Sequence, residues 1–226
     1  MSRAPTQDQQ PSLADTAYDR IRADILACDL EPGAEVTETE LAGRYELGKA
    51  PIRAALQRLA QEGLVQALPR RGHLIAPITV KDVHDLFELR MLIEPPMTAK
   101  AARMITDADV ERLRELTVES TEIGTPFSSP GVEFHLFLME LAGNRRARDV
   151  MARVHDQLER VANLRLATSD WNVMVHDHHE LIDACERREA EAAERISAAH
   201  IEGARRSVID AILASDAMMA VEIGRG

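Results

Sequence analysis

The first eighty residues alternate between helical and extended hydrophobic patterns. Apolar residues recur at helical spacing over 14–28, a Thr-x-x-Glu capping box opens a second helix over 37–46, and a first-turn proline opens a third over 51–62. Two extended segments follow, 64–69 and 73–78, and a turn with two arginines separates them. The order helix, helix, turn, helix, hairpin predicts a winged helix-turn-helix module.

Beyond residue 77 the hydrophobic pattern is helical throughout. Amphipathic segments follow one another, and the first of them contains a pair of prolines where we expect a kink. The segments cover 80–104, 107–121, 132–142, 144–167, 170–187 and 189–213, with a loop at 124–131. We expect no strand in this half. Six helices of these lengths predict an antiparallel bundle.

The chain is therefore predicted to be mainly α. The expected divisions are a disordered tail at 1–12, the winged helix-turn-helix domain at 13–77, an all-helical domain at 78–213 and a flexible C-terminus at 214–226. Hydrophobic residues make up 45% of the chain and aromatic residues only 3%, which favours a helical core. Two cysteines without a CxxC motif, and no apolar stretch long enough to cross a bilayer, predict a cytoplasmic protein without membrane contact.

Charge is distributed unevenly along the chain. The net charge of −11 argues against indiscriminate binding to nucleic acid. The window 39–75 nevertheless contains six Lys or Arg residues and three Glu, which is a local charge of +3. A basic island on an acidic chain indicates a single positive face.

The predicted third helix separates apolar and cationic residues onto opposite faces. Its apolar stripe consists of Ile52, Ala55, Leu56 and Leu59. Lys49, Arg53 and Gln57 recur on the other face at intervals of four. In the major groove arginine can bridge guanine and glutamine can pair with adenine, so this face is predicted to read DNA bases. The alternative is a solvated cationic face on a helical module that binds an acidic protein.

The tip of the hairpin is the second predicted DNA-binding element. Arg70 and Arg71 are placed to reach an adjacent groove or the phosphate backbone. Gly72 would let the loop approach the duplex closely. Because helix order, turn chemistry and the charge of the tip agree, DNA binding is the interpretation that the sequence favours.

Several short runs within residues 14–77 carry a family resemblance. They are Leu30–Gly33, Glu40–Tyr45, Lys49–Leu59, Glu62–Val65 and Arg71-Gly72. These runs resemble the GntR family of bacterial transcriptional regulators, whose central DNA contact matches Arg53. The resemblance implies DNA contacts at Thr39, Lys49, Ala50, Arg53, Gln57, Arg70, Arg71 and Gly72. The family usually has a Ser-Arg pair where Gly48-Lys49 stands here, and lysine lacks the bidentate fork of arginine.

A second set of matches lies in the helical half. It comprises Leu86–Arg90 with Glu94, Phe134-His135, Leu141–Asn144, His178, Leu181–Ala184 and His200. These residues resemble the all-helical ligand-binding domain, the FCD domain, of the FadR-like branch, and six helices resemble its VanR-like subgroup. The resemblance implies a homodimer on a near-palindromic operator of double-stranded DNA. It also implies a repressor that a small carboxylate effector releases.

Many members of that branch bind a divalent metal through one carboxylate and three histidines. The matching histidines are His135, His178 and His200, and imidazole ligands suit zinc or nickel. The family carboxylate lies four residues before the first histidine, where this chain has Gly131. Glu133 is predicted to point to another face. The three histidines therefore form either a weaker metal site or a polar effector pocket without a metal.

Three further assignments complete the sequence-based picture. Arg90 either faces the cavity and binds an anionic effector or pairs with Glu94 one turn later. His155 is predicted to be an ordinary hydrogen-bonded core histidine or a surface one. The alternative function is a metal-dependent enzyme that uses the three-histidine cluster, but neither an HExxH motif nor a general base accompanies the histidines. We therefore expect a regulator and not an enzyme.

Overall fold

The computed structural model of the chain divides into two compact units. The described residues are 11–123, 129–163, 171–214 and 221–222. The units are Met1–Ala76 and Pro77–Gly226, so the division falls one residue before the position indicated by the sequence. Positions 1–10 of the expected disordered tail lie outside the described residues, and the first helix begins at Leu13 after the N-cap residue Ser12.

The N-terminal unit consists of three helices and a three-stranded antiparallel sheet. Its elements are α1 (Leu13–Leu26), β1 (Glu35–Val36), α2 (Glu38–Tyr45), α3 (Lys49–Gln61), β2 (Val65–Leu68) and β3 (Gly72–Ile75). Strand β3 pairs with both β1 and β2, and the hairpin β2–β3 forms the wing. The predicted winged helix-turn-helix is confirmed. The sequence pattern did not reveal β1, because two residues are too few to show a period.

The helices of this unit pack on one apolar core. Its buried side chains include Ala17, Ile21, Ile25, Leu41, Ile52, Leu56, Leu59 and Ile75. Helix α2 begins with the predicted capping box, in which the Thr37 hydroxyl accepts a hydrogen bond from the backbone N–H of Glu40 and the Glu40 carboxylate accepts one from the backbone N–H of Thr37. This cap fixes the start of α2, the helix that precedes α3 in the chain.

Gly72 is required by the packing of the wing. Its φ is +106°, and a Cβ at this position would lie 2.4 Å from the carbonyl oxygen of Val36 in β1. The sequence predicts that this glycine allows a close approach to DNA, and in the structure its close approach is to β1. The wing is therefore held against β1, and Arg70 and Arg71 lie exposed at its tip.

In its described residues the C-terminal unit is a bundle of six helices. They are α4 (Val80–Met104), α5 (Asp107–Ile123), α6 (Ser129–Leu141), α7 (Arg145–Asn163), α8 (Trp171–Glu186) and α9 (Ala190–Ala214). Strand β4 (Ile78–Thr79) pairs in parallel with β5 (Val221–Glu222). The expectation of no strand in this half was wrong, and the segment expected to be a flexible C-terminus contains β5. None of the described helices is both long and apolar enough to span a bilayer.

One helix differs in detail from the sequence prediction. Helix α6 begins at Ser129, so Gly131 is helical and not part of a loop, while 124–128 lie outside the described residues. Helix α4 has the predicted bounds and includes Pro95 and Pro96, and the kink expected there stays a prediction. The start of α6 matters because it places Gly131 one helical turn before His135.

The bundle buries polar side chains as well as an apolar core. The buried polar residues are Arg90, Glu94, Thr98, Thr117, His135, His155, Arg160, His178, Ser197 and His200. Charged side chains are almost never fully buried unless they are paired, and perturbed ionisable groups concentrate at functional sites. The polar group in the bundle is therefore the place where a functional site is expected.

Candidate DNA-binding surface and buried histidine cluster

Burial separates the two faces of α3 as the sequence predicts. The residues of the apolar stripe, Ile52, Ala55, Leu56 and Leu59, are all 0% exposed. Lys49, Arg53 and Gln57 are exposed. The other predicted DNA contacts are also accessible, with Thr39, Ala50, Arg70 and Arg71 exposed and Gly72 half-buried. The apolar face anchors α3 in the core and leaves its cationic face open to a ligand.

Arg53 is held by a carboxylate from the preceding helix. Its Nε and Nη2 donate to Oε1 and Oε2 of Glu38 at 2.8 and 2.7 Å, which is a bidentate pair. The hydrogen bond from Arg53 keeps the pKa of the Glu38 carboxyl below its ordinary value. The Arg53 side chain remains 61% exposed. A ligand that takes both of these hydrogen bonds must therefore displace Glu38.

The wing contains a second arginine–glutamate pair, joined by one hydrogen bond. Nη2 of Arg71 donates to Oε1 of Glu35 at 2.6 Å. Both acceptors, Glu35 and Glu38, precede the window 39–75, and extending the window to residue 35 lowers its charge from +3 to +1. The basic island is thus partly neutralised by acids that lie just outside it.

Two other arginines of the island pair with α1. Nη2 of Arg44 lies 2.7 Å from Oδ2 of Asp24. Nη1 of Arg58 donates to Asp15 at 2.8 Å, and its guanidinium lies 3.8 Å from the centroid of the Tyr18 ring. Although Arg58 belongs to α3, it faces α1 and stabilises the unit internally.

Three helices bring the predicted histidines together. His135 comes from α6, His178 from α8 and His200 from α9, and all three are buried. Each offers a ring nitrogen, and these nitrogens lie within 4.8 Å of one another. The ring centroids are between 4.7 and 5.3 Å apart. Three converging imidazoles are a donor set for a divalent transition metal.

His178 has unsatisfied polar atoms within the described part of the chain. Its ring stacks on Phe134 with 4.1 Å between centroids, and neither Nδ1 nor Nε2 has a hydrogen-bond partner among the described residues. Burial, followed by the neighbouring His200 and His135, holds the pKa of His178 well below its ordinary value. The imidazole is therefore neutral and has a lone pair to offer.

An ion pair adjoins the histidines. Nδ1 of His135 lies 2.9 Å from Oε2 of Glu94, and Nε of Arg90 donates to Oε1 of Glu94 at 2.6 Å. Burial raises the pKa of Glu94, but Arg90 and His135 outweigh it and hold that pKa well below its ordinary value. Burial lowers the pKa of His135 to about 3, against the opposite effect of Glu94. A neutral His135 therefore donates to an ionised Glu94, whose charge Arg90 balances.

Arg90 adopts the second of the two arrangements that the sequence left open. It pairs with Glu94 one turn later, but in the interior of the bundle, where its side chain is 1% exposed. Binding of an anionic effector by Arg90 stays a prediction. Glu94 accepts from Nε and Nη2 of Arg90, so an anionic ligand would use the other N–H donors of the guanidinium.

His155 differs from its sequence-based assignment. It is 1% exposed, and neither ring nitrogen has a hydrogen bond within the described residues. Its ring stacks on His135 with 5.0 Å between centroids, and Nε2 lies 3.5 Å from Oε1 of Glu94, too far for a strong hydrogen bond. A sequence signal was present, because helical spacing puts His155 on the buried stripe with Met151 and Leu158.

The position of the family carboxylate has no side chain. Gly131 lies on α6 four residues before His135 and is buried. Glu133, two residues before His135, is exposed. Neither residue therefore provides a carboxylate to the histidine cluster.

Both units match families of known proteins. Residues 13–75 match the gntR family of bacterial regulatory proteins. Residues 85–203, more than half of the chain, match the FCD domain. The chain belongs to the GntR family, in the branch with an FCD domain. Its assignment to the VanR-like subgroup stays a prediction.

Relatives in this family align along most of the chain. The HTH-type transcriptional repressor RspR of Escherichia coli K12 is 26% identical over 211 residues, which cover 90% of each chain. The Nta operon transcriptional regulator of Aminobacter aminovorans is 27% identical over 168 residues, covering 72% of this chain and 79% of that relative. The solved structure of E. coli McbR/YncC has a TM-score of 0.73 at 16% identity and covers 89% of this chain and 99% of its own, which shows a common fold alone.

These relatives decide between the functions that the sequence left open. The gntR family, the repressor RspR and the Nta operon regulator are transcriptional regulators and not enzymes, so a metal-dependent enzyme has no support. This GntR-family chain is a DNA-binding transcriptional regulator.

The histidine cluster of this GntR-family regulator fits a divalent transition metal in its chemistry. The neutral form of histidine is the form that ligates, and burial keeps both His135 and His178 neutral. Imidazole nitrogens suit zinc and nickel. Because Gly131 supplies no carboxylate, an ion held by the three histidines would keep positions open for water or for an anionic ligand.

Proposed function

We propose that this regulator is a cytoplasmic repressor and that a small carboxylate, bound in the FCD bundle, releases it from its operator. The observation that carries the proposal is the buried cluster of His135, His178 and His200, together with the unsatisfied nitrogens of His178 in the described part of the chain. Buried polar groups are normally satisfied, so a ligand that completes them is expected. The name of the relative RspR, a repressor, supports the direction of control.

We assign DNA binding to α3, the wing and Thr39 of α2. The proposed contacts are Thr39, Lys49, Ala50, Arg53, Gln57, Arg70, Arg71 and Gly72. We expect Arg53 and Gln57 to read bases, because bidentate and amide donors discriminate between base edges. Lys49 is a point charge at the start of α3, and we expect it to contact a phosphate. Exposure of these side chains beside a fully buried stripe supports this assignment.

We expect the regulator to act as a homodimer on a near-palindromic operator, because two-fold symmetry in the protein requires two half-sites in the DNA. A groove between α4 and α7 supports this expectation. It is lined by Leu92, Pro96, Ala147 and Val150, and Leu92 is 66% exposed. Leu92 and Val150 both lie exposed in this apolar groove, and a contiguous exposed apolar surface is the kind that associates. A second copy of the chain is the occupant that dimerisation in this family favours.

His135, His178 and His200 are the residues that we infer to hold zinc or nickel. When bound, the ion supplies positive charge and an open coordination position for a carboxylate oxygen. The bundle side chains orient that ligand and exclude water. Release from DNA then requires that the effector bind more tightly to bundle conformations with low operator affinity.

Operator binding with and without ligands tests this proposal. Full-length protein is first examined by elemental analysis, and its preferred duplex is selected from a random library. Fluorescence anisotropy then measures affinity with zinc or nickel and with acetate, succinate, citrate or benzoate. We expect at least one carboxylate to weaken binding about tenfold, within the usual range of allosteric coupling, and only when metal is present. Release by no carboxylate would contradict the effector class, and failure to select any duplex would contradict specific DNA binding.

Replacing Glu38 by glutamine is expected to loosen specificity. The change removes a negative charge from the DNA-facing side and releases Arg53 from its fixed position. Affinity for a scrambled duplex should rise about threefold, because phosphate contacts dominate non-specific binding. The ratio of operator to scrambled affinity should fall. Anisotropy titrations of both duplexes measure these values, and Glu31→Gln, the same charge change at an exposed turn residue, is the control. An unchanged ratio would contradict the role of Glu38.

Replacing Gly131 by aspartate is expected to restore the family carboxylate. The introduced carboxylate would lie one turn before His135 on α6, so zinc affinity should rise by at least about tenfold, equivalent to about 1.4 kcal/mol. Without metal the variant should unfold at a lower temperature, because the carboxylate is buried without a partner. Chelator competition and thermal melts measure both effects. Glu133→Ala, which changes an exposed carboxylate on the same helix, should alter neither. Equal zinc affinities for wild type and Gly131→Asp would contradict the placement of the ion within reach of residue 131.

A further inference from the structure

The interior of the bundle contains a second set of ligating groups that overlaps the first. Glu94, His135 and His155 offer atoms within 4.8 Å of one another, and all three are buried. His135 belongs to both sets. The set that binds an ion determines which nitrogen of His135 faces that ion and which role Glu94 has beside it.

The hydrogen bond of His135 separates the two sets. Nδ1 lies 2.9 Å from Oε2 of Glu94, so the proton of the neutral ring is on Nδ1 and the lone pair is on Nε2. An ion shared with His178 and His200 is compatible with this arrangement, because the hydrogen bond to Glu94 leaves the lone pair of Nε2 to ligate it. An ion shared with Glu94 and His155 would take Nδ1 and break the hydrogen bond.

Arg90 disfavours an ion in the second set. Its Nε lies 2.6 Å from Oε1 of Glu94, and its side chain is as buried as that carboxylate. A divalent cation at Glu94 would stand next to a guanidinium in an environment where charges are weakly screened. Glu94 already has its counter-charge in Arg90, and its other oxygen is directed at His135.

We propose that Glu94 is a positioning residue for the three-histidine metal site, fixing His135 in the tautomer and orientation in which Nε2 ligates. Carboxylates that accept the second N–H of a ligating histidine orient the ring and strengthen it as a ligand. Arg90 keeps Glu94 ionised, and His155, stacked on His135, flanks the pair without binding the ion. The inference rests on the proposed metal site.

Cobalt(II) titrations of the full-length protein test the inference, with the d–d absorption bands as the readout. Glu94→Gln should lower cobalt affinity about 10- to 100-fold, the usual effect of removing such a partner, because a neutral amide accepts more weakly than a carboxylate. The bands should shift as His135 loses its fixed orientation. His155→Leu should retain wild-type affinity within about threefold and leave the spectrum unchanged.

A double variant separates positioning from structural damage. Glu94→Gln leaves Arg90 buried without its partner, so its loss of affinity could reflect misfolding. In Arg90→Met with Glu94→Gln no uncompensated charge remains, and thermal melts check that the fold is restored. Cobalt affinity should stay low in this double variant, and recovery to the wild-type value would overturn the inference.

Each of the remaining outcomes of the cobalt titrations leads to a stated conclusion. If His155→Leu and Glu94→Gln each abolish cobalt binding, the ion lies in the second set, and the inference is overturned. Wild-type affinity in Glu94→Gln would also overturn it. No cobalt binding by the wild-type protein would instead reject the proposed metal site itself.

Discussion

Replacing Arg53 by alanine is expected to abolish recognition of the operator and leave the fold intact. The side chain is 61% exposed, while the residues that anchor α3 are 0% exposed, so its removal leaves the core unchanged. A bidentate arginine contact to guanine is worth roughly ten- to hundredfold in base discrimination. Two half-sites in a dimer multiply this effect, so operator affinity should fall by at least about 100-fold. Anisotropy with the selected duplex measures the loss, and circular dichroism checks the fold.

The matched control for Arg53 is another arginine of α3. Arg58→Ala removes the same charge from the same helix, but Arg58 pairs with Asp15 and Tyr18 of α1, so operator affinity should change by less than about threefold. The salt dependence distinguishes the roles further. Loss of a base contact lowers operator affinity at every salt concentration. Arg71→Ala, which removes one proposed phosphate contact from each protomer of the dimer, should lower the salt slope by about 2. Operator binding by Arg53→Ala at wild-type affinity would contradict the assignment of α3.

The sequence predicted which face of α3 is exposed but did not reveal the ion pair that holds Arg53 in place. A period of 3.6 residues is a local property, so the buried stripe from Ile52 to Leu59 followed from spacing alone. The pair between Arg53 and Glu38 joins residues fifteen positions apart on two helices, and it depends on how α2 and α3 pack. A count of charges within a window of sequence could not detect it, because proximity in space decides which charges cancel.

The bundle illustrates the same limit. Resemblance to the FCD domain identified His135, His178 and His200, and the structure brings their ring nitrogens within 4.8 Å. The contact of Glu94 with His135 joins α4 to α6, and His155 reaches the same place from α7. The local hydrophobic pattern was sufficient to predict the helices on which these residues lie. Only the packing of the helices determines which of their polar side chains meet, and a pair of two-residue strands such as β4 and β5 has no usable period at all.

Replacing His178 by leucine is expected to abolish metal binding without destabilising the metal-free protein. Leucine fills a similar volume beside Phe134 and removes two buried nitrogens that lack hydrogen bonds among the described residues. An unsatisfied buried polar group costs about 1–3 kcal/mol, so the metal-free variant should be as stable as wild type or more stable by about 1 kcal/mol. Zinc affinity should fall by at least about 100-fold, because one of three protein ligands is lost. Urea unfolding and chelator competition measure these quantities.

Thermal melts with zinc separate a ligand-binding role of His178 from a structural one. At about 100 times the dissociation constant a ligand stabilises the folded state by about 2.7 kcal/mol, which for a chain of this length raises Tm by roughly 5–10 °C. Wild type and His179→Leu, which alters an exposed histidine next along α8, should both show this rise, and His178→Leu should not. A metal-free His178→Leu variant less stable than wild type by more than about 2 kcal/mol would show that the imidazole makes stabilising contacts in the absence of metal. The histidine would in that case be structural. Residues that bind a ligand commonly make the unliganded protein less stable than it could be. A His178→Leu variant that is stable but no longer binds zinc would therefore indicate that His178 serves ligand binding and not stability.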